Sequence, residues 1–150
     1  MTNKQKEGFT IIEVVLVLAI AGLIFLVVFL ALPALQRSQR DTARKNDLGR
    51  FMSQISSYQS NNRGAVPANA DLAATFVPAY LTMSGAETFA DPQKDDYTYA
   101  TGAGTPTVGT IQYAVGGRCG ANGAVAVSGN NRQIAASVGL EGGGAYCQQN

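Results

Sequence analysis

The sequence predicts an α+β protein in which one long N-terminal helix, half transmembrane and half amphipathic, packs on a small antiparallel sheet. An uncharged apolar run covers residues 14–32, and a helical pattern of apolar residues resumes beyond it. Short alternating runs separated by glycine clusters follow residue 96. Twelve of the 17 glycines lie after residue 100, which is the distribution that a turn-rich sheet requires.

The apolar run has the length of a membrane span. Residues 14–32 are 19 consecutive uncharged residues, and they would form about 29 Å of helix at 1.5 Å per residue. This length matches the hydrocarbon core of a bilayer, which is about 30 Å thick. Glu13 stands at the start of the run, and an ionisable group costs roughly 2.5–3.5 kcal/mol at the bilayer centre. We therefore expect Glu13 to have a partner or a specific role.

A short polar leader precedes the run and continues into Lys6-Glu7-Gly8-Phe9-Thr10-Ile11-Ile12-Glu13. This segment resembles the leader and N-terminal helix of type IV pilins and pseudopilins. The resemblance implies that prepilin peptidase cleaves between Gly8 and Phe9 and methylates the new N-terminus at Phe9. It also places Glu13 at the acidic position of that family. Pairing of Glu13 with the Phe9 amine of another subunit would set axial register more than it would add stability.

The function that the resemblance implies is structural. The chain would be a subunit of a type IV pilus, a helical homopolymer that serves adhesion, motility or DNA uptake. Its partners would be other copies, prepilin peptidase, the assembly machinery of the inner membrane and, before assembly, membrane lipid. The chain would begin as a single-pass membrane protein with an exported C-terminal domain and end in an extracellular pilus. The alternatives are a pseudopilin of a type II secretion or competence system, and a membrane-anchored binding domain that never polymerises.

Two other interpretations of the N-terminus explain less. A secretory signal peptide has an apolar region of 7–15 residues; this run is longer, Glu13 interrupts its approach, and Leu32 stands where a cut after Ala34 needs a small residue. An unprocessed membrane anchor explains the hydrophobicity but neither the Gly8-Phe9-Thr10 sequence nor Glu13. Both interpretations therefore leave part of the segment without a reason.

The patterns and the resemblance divide the chain into five segments. These are a leader at 1–8, a transmembrane assembly helix at 9–32, an amphipathic half-helix at 33–62, an αβ-loop at 63–96, and a sheet with its C-terminal region at 97–150. Pro33 is expected to kink the helix or loosen the preceding turn, and Gly22 is a second flexible point. In the resembled family the helix can melt between a glycine and a proline eight residues later, a position that Leu30 occupies here.

The later elements follow from local spacing. An apolar stripe at helical spacing is expected to pack on the sheet and consists of Leu48, Phe51, Met52, Ile55 and Tyr58. Gly64 is expected to end the helix. A short helix is predicted over residues 71–76, capped by Asn69 or Asp71, with Pro78 and Pro92 breaking the segment. Strands are predicted over residues 97–100, 111–115, 124–128 and 133–138, joined as antiparallel hairpins, and the tail at 142–147 is expected to fold back on them.

Cys119 and Cys147 are the two cysteines of the chain. If the C-terminal domain is exported, a disulfide between them is favoured, and it would contribute about 3.5 kcal/mol on the chain-entropy model. In the resembled family a late disulfide commonly ties down the C-terminal part of the domain. The alternative is a pair of free thiols in a cytosolic domain.

A basic cluster follows the apolar run and consists of Arg37, Arg40, Arg44, Lys45 and Arg50. Residues 36–50 carry a net charge of +3, whereas the residues from 51 onward carry −2. The cluster could therefore pair with a neighbouring subunit or contact anionic lipid, although a solvated helix face is the simpler interpretation. Direct binding of nucleic acid is not expected, because a filament would cover the cluster.

The same cluster bears on topology. The leader contributes only Lys4 and Lys6, so the positive-inside rule alone would keep the C-terminal domain in the cytoplasm. The leader motif and the cysteines favour export instead.

Composition excludes several kinds of catalysis. The chain has no His, which removes the usual Ser-His-Asp and Cys-His arrangements and the His-containing zinc sites. No P-loop or Gly-x-Gly-x-x-Gly sequence opens a helix, and neither an enzyme nor a bound cofactor is predicted. For Asp91, Asp95 and Asp96, a solvated acidic loop is favoured over a calcium site, because the spacing of a calcium loop is missing.

Overall fold

The computed structural model describes residues 8–68, 71–82, 89–93, 96–127 and 133–150, with the backbone alone at Ala73. Contacts divide the chain into two compact units, Met1–Gln36 and Arg37–Asn150. We call the second unit the head. Helix α1, Ile11–Asn61, contributes residues to both units.

In the first unit, α1 is apolar on all sides and uncovered. The helix continues without a break through Gly22 and Pro33, so the structure shows no melted turn between these two residues. The large apolar side chains from Ile11 to Leu35 are exposed. This is the one helix in the described residues that is long and apolar enough to cross a membrane. An apolar surface of this extent fits contact with lipid or with another protein better than contact with water.

In the head, α1 buries one face. Leu48, Phe51 and Ile55 are fully buried, and Met52 and Tyr58 pack beside them, which confirms the predicted stripe. The helix ends at Asn61, and Gly64 caps it as expected: its φ is +83° and its N–H donates to the Gln59 carbonyl at 2.7 Å.

The connection after α1 contains a π-helical segment, Leu72–Leu81. It is longer than the predicted helix, and Pro78 lies inside it rather than breaking it. Asp71 precedes the segment but makes no side-chain cap hydrogen bond, and Asn69 lies outside the described residues. A π-helix has hydrogen bonds from the N–H of residue i+5 to the carbonyl of residue i. The last of these is donated by the Thr82 N–H to the Val77 carbonyl at 3.0 Å.

In the described residues, six strands form two sheets. The strands are β1 Thr98–Thr101, β2 Thr110–Val115, β3 Gly117–Cys119, β4 Val125–Val127, β5 Ile134–Gly139 and β6 Ala145–Gln149. The main sheet has the order β1-β2-β5-β6, and β3 pairs with β4 in a second sheet. Pairs β2–β5 and β5–β6 are antiparallel, whereas β1 pairs with β2 in parallel. The prediction of antiparallel hairpins is therefore wrong for β1.

The parallel pairing arises because residues 102–109 form a crossover. Along this segment Gly104 bridges to Val125 and Val108 bridges to Gly139. The Gln112 side chain donates to the Gly102 carbonyl at 2.9 Å and fixes the start of the crossover. A Cβ at Gly139 would overlap the backbone of Thr107, so the crossing requires glycine there.

Two strands were not predicted. β3 is only three residues long, and the predicted strand at 124–128 pairs with it in the second sheet instead of joining the main one. The tail does not fold back as a loop but forms β6, the edge strand of the main sheet. The alternation of apolar and polar residues that predicts a strand is weak in both β3 and β6.

The head core is aromatic and centred on Phe51. Its ring centroid lies 5.7 Å from that of Phe76 and 5.9 Å from that of Tyr113, both edge-on, and 6.3 Å from the stacked ring of Tyr99. These rings come from α1, the π-helical segment and the main sheet. Aromatic pairs at such distances contribute about 0.5–1.5 kcal/mol each beyond the area they bury, so Phe51 joins all three layers.

Ser137 of β5 is buried and its hydroxyl has no hydrogen-bond partner among the described residues. Because an unsatisfied buried hydroxyl costs about 1–3 kcal/mol, we expect Ser137→Ala to leave the free energy of unfolding unchanged or to raise it by about 1 kcal/mol. Urea unfolding measures this, with the exposed Ser56→Ala as a matched control. A loss above about 1 kcal/mol would show that the hydroxyl has a partner.

Candidate functional site

The first site residues form the start of α1. The Thr10 hydroxyl donates to Glu13 Oε2 at 2.8 Å, and the Thr10 N–H donates to the same oxygen at 2.9 Å. In return, the Glu13 N–H donates to the Thr10 hydroxyl at 3.4 Å. This reciprocal arrangement is a capping box, which satisfies backbone donors that a helix start leaves unpaired. Glu13 therefore has a local role, because it caps its own helix.

The capping box uses one oxygen of Glu13. Glu13 Oε1 accepts no hydrogen bond from the described residues, so one carboxylate oxygen stays available while the other caps the helix. Glu13 is exposed and lies beside two shallow grooves of about 300 Å³, both of which the apolar side chains of Phe9 and Val17 help to line. If an apolar partner covered this surface, the attraction between Glu13 and a cation would be strong, because the effective dielectric would fall.

Sequence reasoning missed the capping box, although its signal was available. Thr10-Ile11-Ile12-Glu13 is a Ser/Thr-x-x-Glu sequence before an apolar run, which predicts this cap. The structure places Gly8 and Phe9 just before the helix, both exposed. A Cβ at Gly8 would meet nothing within 4 Å. The segment around the predicted cleavage point is thus open to solvent.

In the head, Cys119 and Cys147 form a disulfide, with Cα atoms 5.7 Å apart. The bond joins β3 to β6 and so connects the two sheets. The Cys119 N–H also donates to Gln149 Oε1 at 2.6 Å. The disulfide and this hydrogen bond together hold the edge strand.

Arg44 is the largest fully buried side chain of the head, and its burial was not predicted. Its Nε and Nη2 donate to the two oxygens of Asp91 at 2.6 and 3.0 Å. Its Nη1 donates to Glu141 at 2.6 Å and to Asp41 at 3.2 Å. Hydrogen bonds to Asp91, and to a smaller extent to Glu141, raise the pKa of Arg44 further above its usual value, although burial acts to lower it. One guanidinium thus connects α1, the loop before β1 and the turn before β6.

The turn before β6 is held by two further residues of α1. Arg40 donates to both oxygens of Glu141, at 2.7 and 2.6 Å. Asp41 accepts the N–H groups of Glu141 and Gly142 at 2.8 and 2.9 Å. Hydrogen bonds from Arg40, and then from Arg44, lower the pKa of Glu141 to about 2. The turn is therefore bound to the helix through both its backbone and its side chain.

These contacts correct the prediction of a solvated acidic loop for Asp91. Asp91 belongs neither to a solvated acidic loop nor to a calcium site, because Arg44 occupies both of its oxygens. Asp96 is exposed, Asp95 lies outside the described residues, and no group of three metal-binding side chains is found in the part of the chain that is described.

The predicted basic cluster is not an exposed patch. Besides Arg40 and Arg44, Lys45 lies over the ring of Tyr146 and Arg50 lies over the ring of Phe89, at 5.6 and 5.9 Å from the ring centroids. Arg37 is exposed. The charges that could have bound a neighbour or lipid mostly bind the head itself.

Comparison with known proteins identifies the class of the N-terminal segment. Residues 3–29 match the family model described as "Prokaryotic N-terminal methylation motif", the prepilin-type leader of type IV pilins and pseudopilins. The architecture around it, a long apolar N-terminal helix and a small, mostly antiparallel sheet, is α+β as in pilins. The motif implies processing by prepilin peptidase, and with the long apolar helix it fits a membrane-anchored precursor. No curated protein and no solved structure gives a significant match to the chain.

Proposed function

We propose that this chain is the structural subunit of a type IV pilus. Prepilin peptidase removes residues 1–8 and methylates Phe9, and the subunits then leave the membrane and stack through their N-terminal helices. The observation that carries the proposal is the methylation motif at residues 3–29, which opens a helix whose apolar side chains are uncovered. The role is mechanical rather than catalytic, with adhesion, motility or DNA uptake as its outcomes.

The geometry of Glu13 supports a mechanism for subunit entry. Cleavage between Gly8 and Phe9 creates an ammonium group at Phe9, and methylation of an amine keeps its charge. In the growing filament, Glu13 Oε1 of one subunit accepts from the Phe9 amine of another while Oε2 keeps its hydrogen bonds to Thr10. Neither charge is then unpaired in the apolar filament core, and an entry out of register would leave both unpaired.

Leaving the bilayer requires that the helix find an equally apolar environment. The uncovered side chains from Val14 to Leu32 lose their lipid contacts and regain apolar contacts with neighbouring helices. The exchange of lipid contacts for helix contacts favours the filament only when many helices pack together. Assembly is therefore cooperative, and the head, stabilised by its disulfide and ion pairs, is carried to the outside.

A pseudopilin of a type II secretion or competence system is the second candidate. The same motif marks pseudopilins, and such a subunit would use the same cleavage and the same Glu13 pairing. The two candidates differ in abundance and in fibre length rather than in the chemistry of the N-terminus.

Intact-mass measurement of the chain from cells tests the processing step. We expect a chain that begins at methylated Phe9, with Cys119 and Cys147 oxidised. Gly8→Val is the matched variant, because a side chain at Gly8 meets no neighbour and leaves the described structure intact; we expect it to keep its leader. A wild-type chain that still begins at Met1 with free thiols would overturn the proposal. Fibres sheared from the cell surface and containing this chain would distinguish the pilus from a membrane-anchored binding domain.

A further inference from the structure

An apolar groove with exposed walls lies in the described part of the head. It lies between residues 66–68 and the ends of β1, β2 and β4, and it has a volume of about 440 Å³. Val115 and Val127, 37% and 56% exposed, both line it. They are the only exposed large apolar side chains in the described part of the head. Their concentration at one groove, together with half-buried Val66, indicates a contact surface rather than scattered exposure.

No charged residue is found among the described residues that line this groove. An occupant with a charge would lose its hydration there without gaining a partner. The groove therefore selects an uncharged occupant with small apolar side chains, as its modest volume also requires.

A second surface of the head has that character. The π-helical segment Leu72–Leu81 contains no Asp, Glu, Lys or Arg. Its exposed side includes Ala74, Thr75, Pro78 and Ala79. A helix that faces water normally carries charged residues on its outer side, and this segment carries none. It shares no residue with the groove.

We propose that the outer side of the π-helical segment of one subunit binds in the apolar groove of a second copy of this chain. The contact rests on the proposed filament and specifies its head-to-head interface. Because the two surfaces are different, the contact is heterologous: each subunit offers its groove to one neighbour and its π-helical segment to the next. A contact of this kind repeats without closing when the rotation between copies does not complete a ring, which is how a filament extends.

Charge substitution tests the pairing in the full-length chain. Val127→Glu places an anion at the groove and Ala79→Lys places a cation on the π-helical segment. Both residues are exposed, so each change should leave the fold intact. We expect each single variant to lower the amount of sheared fibre at least tenfold. The double variant should restore it to within about threefold of wild type, because every interface then contains a Glu–Lys pair.

Three controls make the test specific. Thr105→Glu adds a charge at an exposed residue outside both surfaces and should assemble normally. The like-charged pair Val127→Lys with Ala79→Lys should not assemble. Intact mass and tyrosine circular dichroism of each membrane-extracted variant should match wild type, so that loss of fibre reflects loss of contact.

The outcomes separate this inference from the proposed function. If wild-type cells make no fibres of this chain, the filament itself is wrong. If wild-type fibres form and Val127→Glu assembles equally well, the groove is not an interface and the inference alone is overturned. If the single variants fail and the double variant also fails, another occupant fills the groove, and the inference is again overturned.

Discussion

Replacing Glu13 by glutamine is expected to lower the incorporation of this chain into fibres about a hundredfold while leaving its helix capped. Glutamine serves as well as glutamate in a capping box, so the hydrogen bonds to Thr10 persist. The negative charge is lost, and the Phe9 ammonium of the neighbour becomes unpaired in apolar surroundings. A cost of roughly 2.5–3.5 kcal/mol for such a charge corresponds to a factor of about one hundred at 1.4 kcal/mol per tenfold change.

Two further variants separate pairing from capping. Thr10→Val removes the hydroxyl that bonds to Glu13 but keeps the carboxylate, so we expect it to weaken the helix start by about 1 kcal/mol and still to assemble. Glu13→Ala removes both the cap and the charge, and we expect this variant to remain inserted in the membrane without assembling. All three variants should be processed and methylated.

The measurement is the ratio of variant to wild-type chain in sheared fibres and in membranes, after co-expression and mass spectrometry. Co-expression keeps the assembly machinery supplied with a competent subunit. Wild-type levels of the glutamine variant in fibres would refute pairing between Glu13 and the Phe9 amine. Failure of Thr10→Val alone would instead assign the role of Glu13 to capping.

Arg44→Met is expected to destabilise the head by about 3–5 kcal/mol. The methionine fills most of the arginine volume but removes the two hydrogen bonds that Arg44 donates to the buried Asp91 carboxylate. Removal of one member of a buried ion pair typically costs this much, because the remaining buried charge loses its main stabilising contact. Arg37→Met is the matched control on the same helix; Arg37 is exposed, and its substitution should change stability by less than about 0.5 kcal/mol.

Urea unfolding of the full chain in detergent measures this effect. All six tyrosines lie at or after residue 58 and there is no tryptophan, so near-ultraviolet circular dichroism follows the head alone. The double variant with Asp91→Asn should lose less stability than the two single changes together, since the second change also removes the buried charge that Arg44 stabilised. Strict additivity would show that Arg44 and Asp91 do not interact in solution.

The pKa of Glu141 adds a pH dependence to the same measurement. Its value in the folded head is about 2, below the ordinary 4.5, because Arg40 and Arg44 bind the ionised form. A depressed pKa gives stability that is fully present above the unfolded value and is lost as pH falls through the folded one. The contribution of Glu141 should therefore be constant above about pH 5 and disappear between pH 4.5 and about 2.

Local signals account for what the sequence predicted well. The stripe from Leu48 to Ile55 follows the helical period, and a helix against a core must bury such a stripe. The methylation motif is contiguous, so the resemblance could be read from the sequence without a fold, and the match at residues 3–29 confirms it. The roles of Gly8, Phe9 and Glu13 stay predictions.

The features that were missed depend on residues far apart in the chain. Arg44 looks like a surface residue among polar neighbours, and its carboxylates come from positions 91 and 141. Residues 102–109 have the same glycine-rich composition whether they form a hairpin turn or a crossover. The exposed valines of the groove become a surface only when β2 and β4 come together.

The position of Arg44 has a mechanical consequence. In the proposed fibre, tension would pull a subunit along its helix axis. A head held only by apolar packing could then slip along the helix, because such contacts are non-directional. Arg40, Asp41 and Arg44 instead bind two separate loops of the head through short, oriented hydrogen bonds. A force along the helix axis would act on all of these hydrogen bonds at once. The head would therefore be displaced only if several of them broke together. These ion pairs would then keep each head at a fixed axial position on its helix.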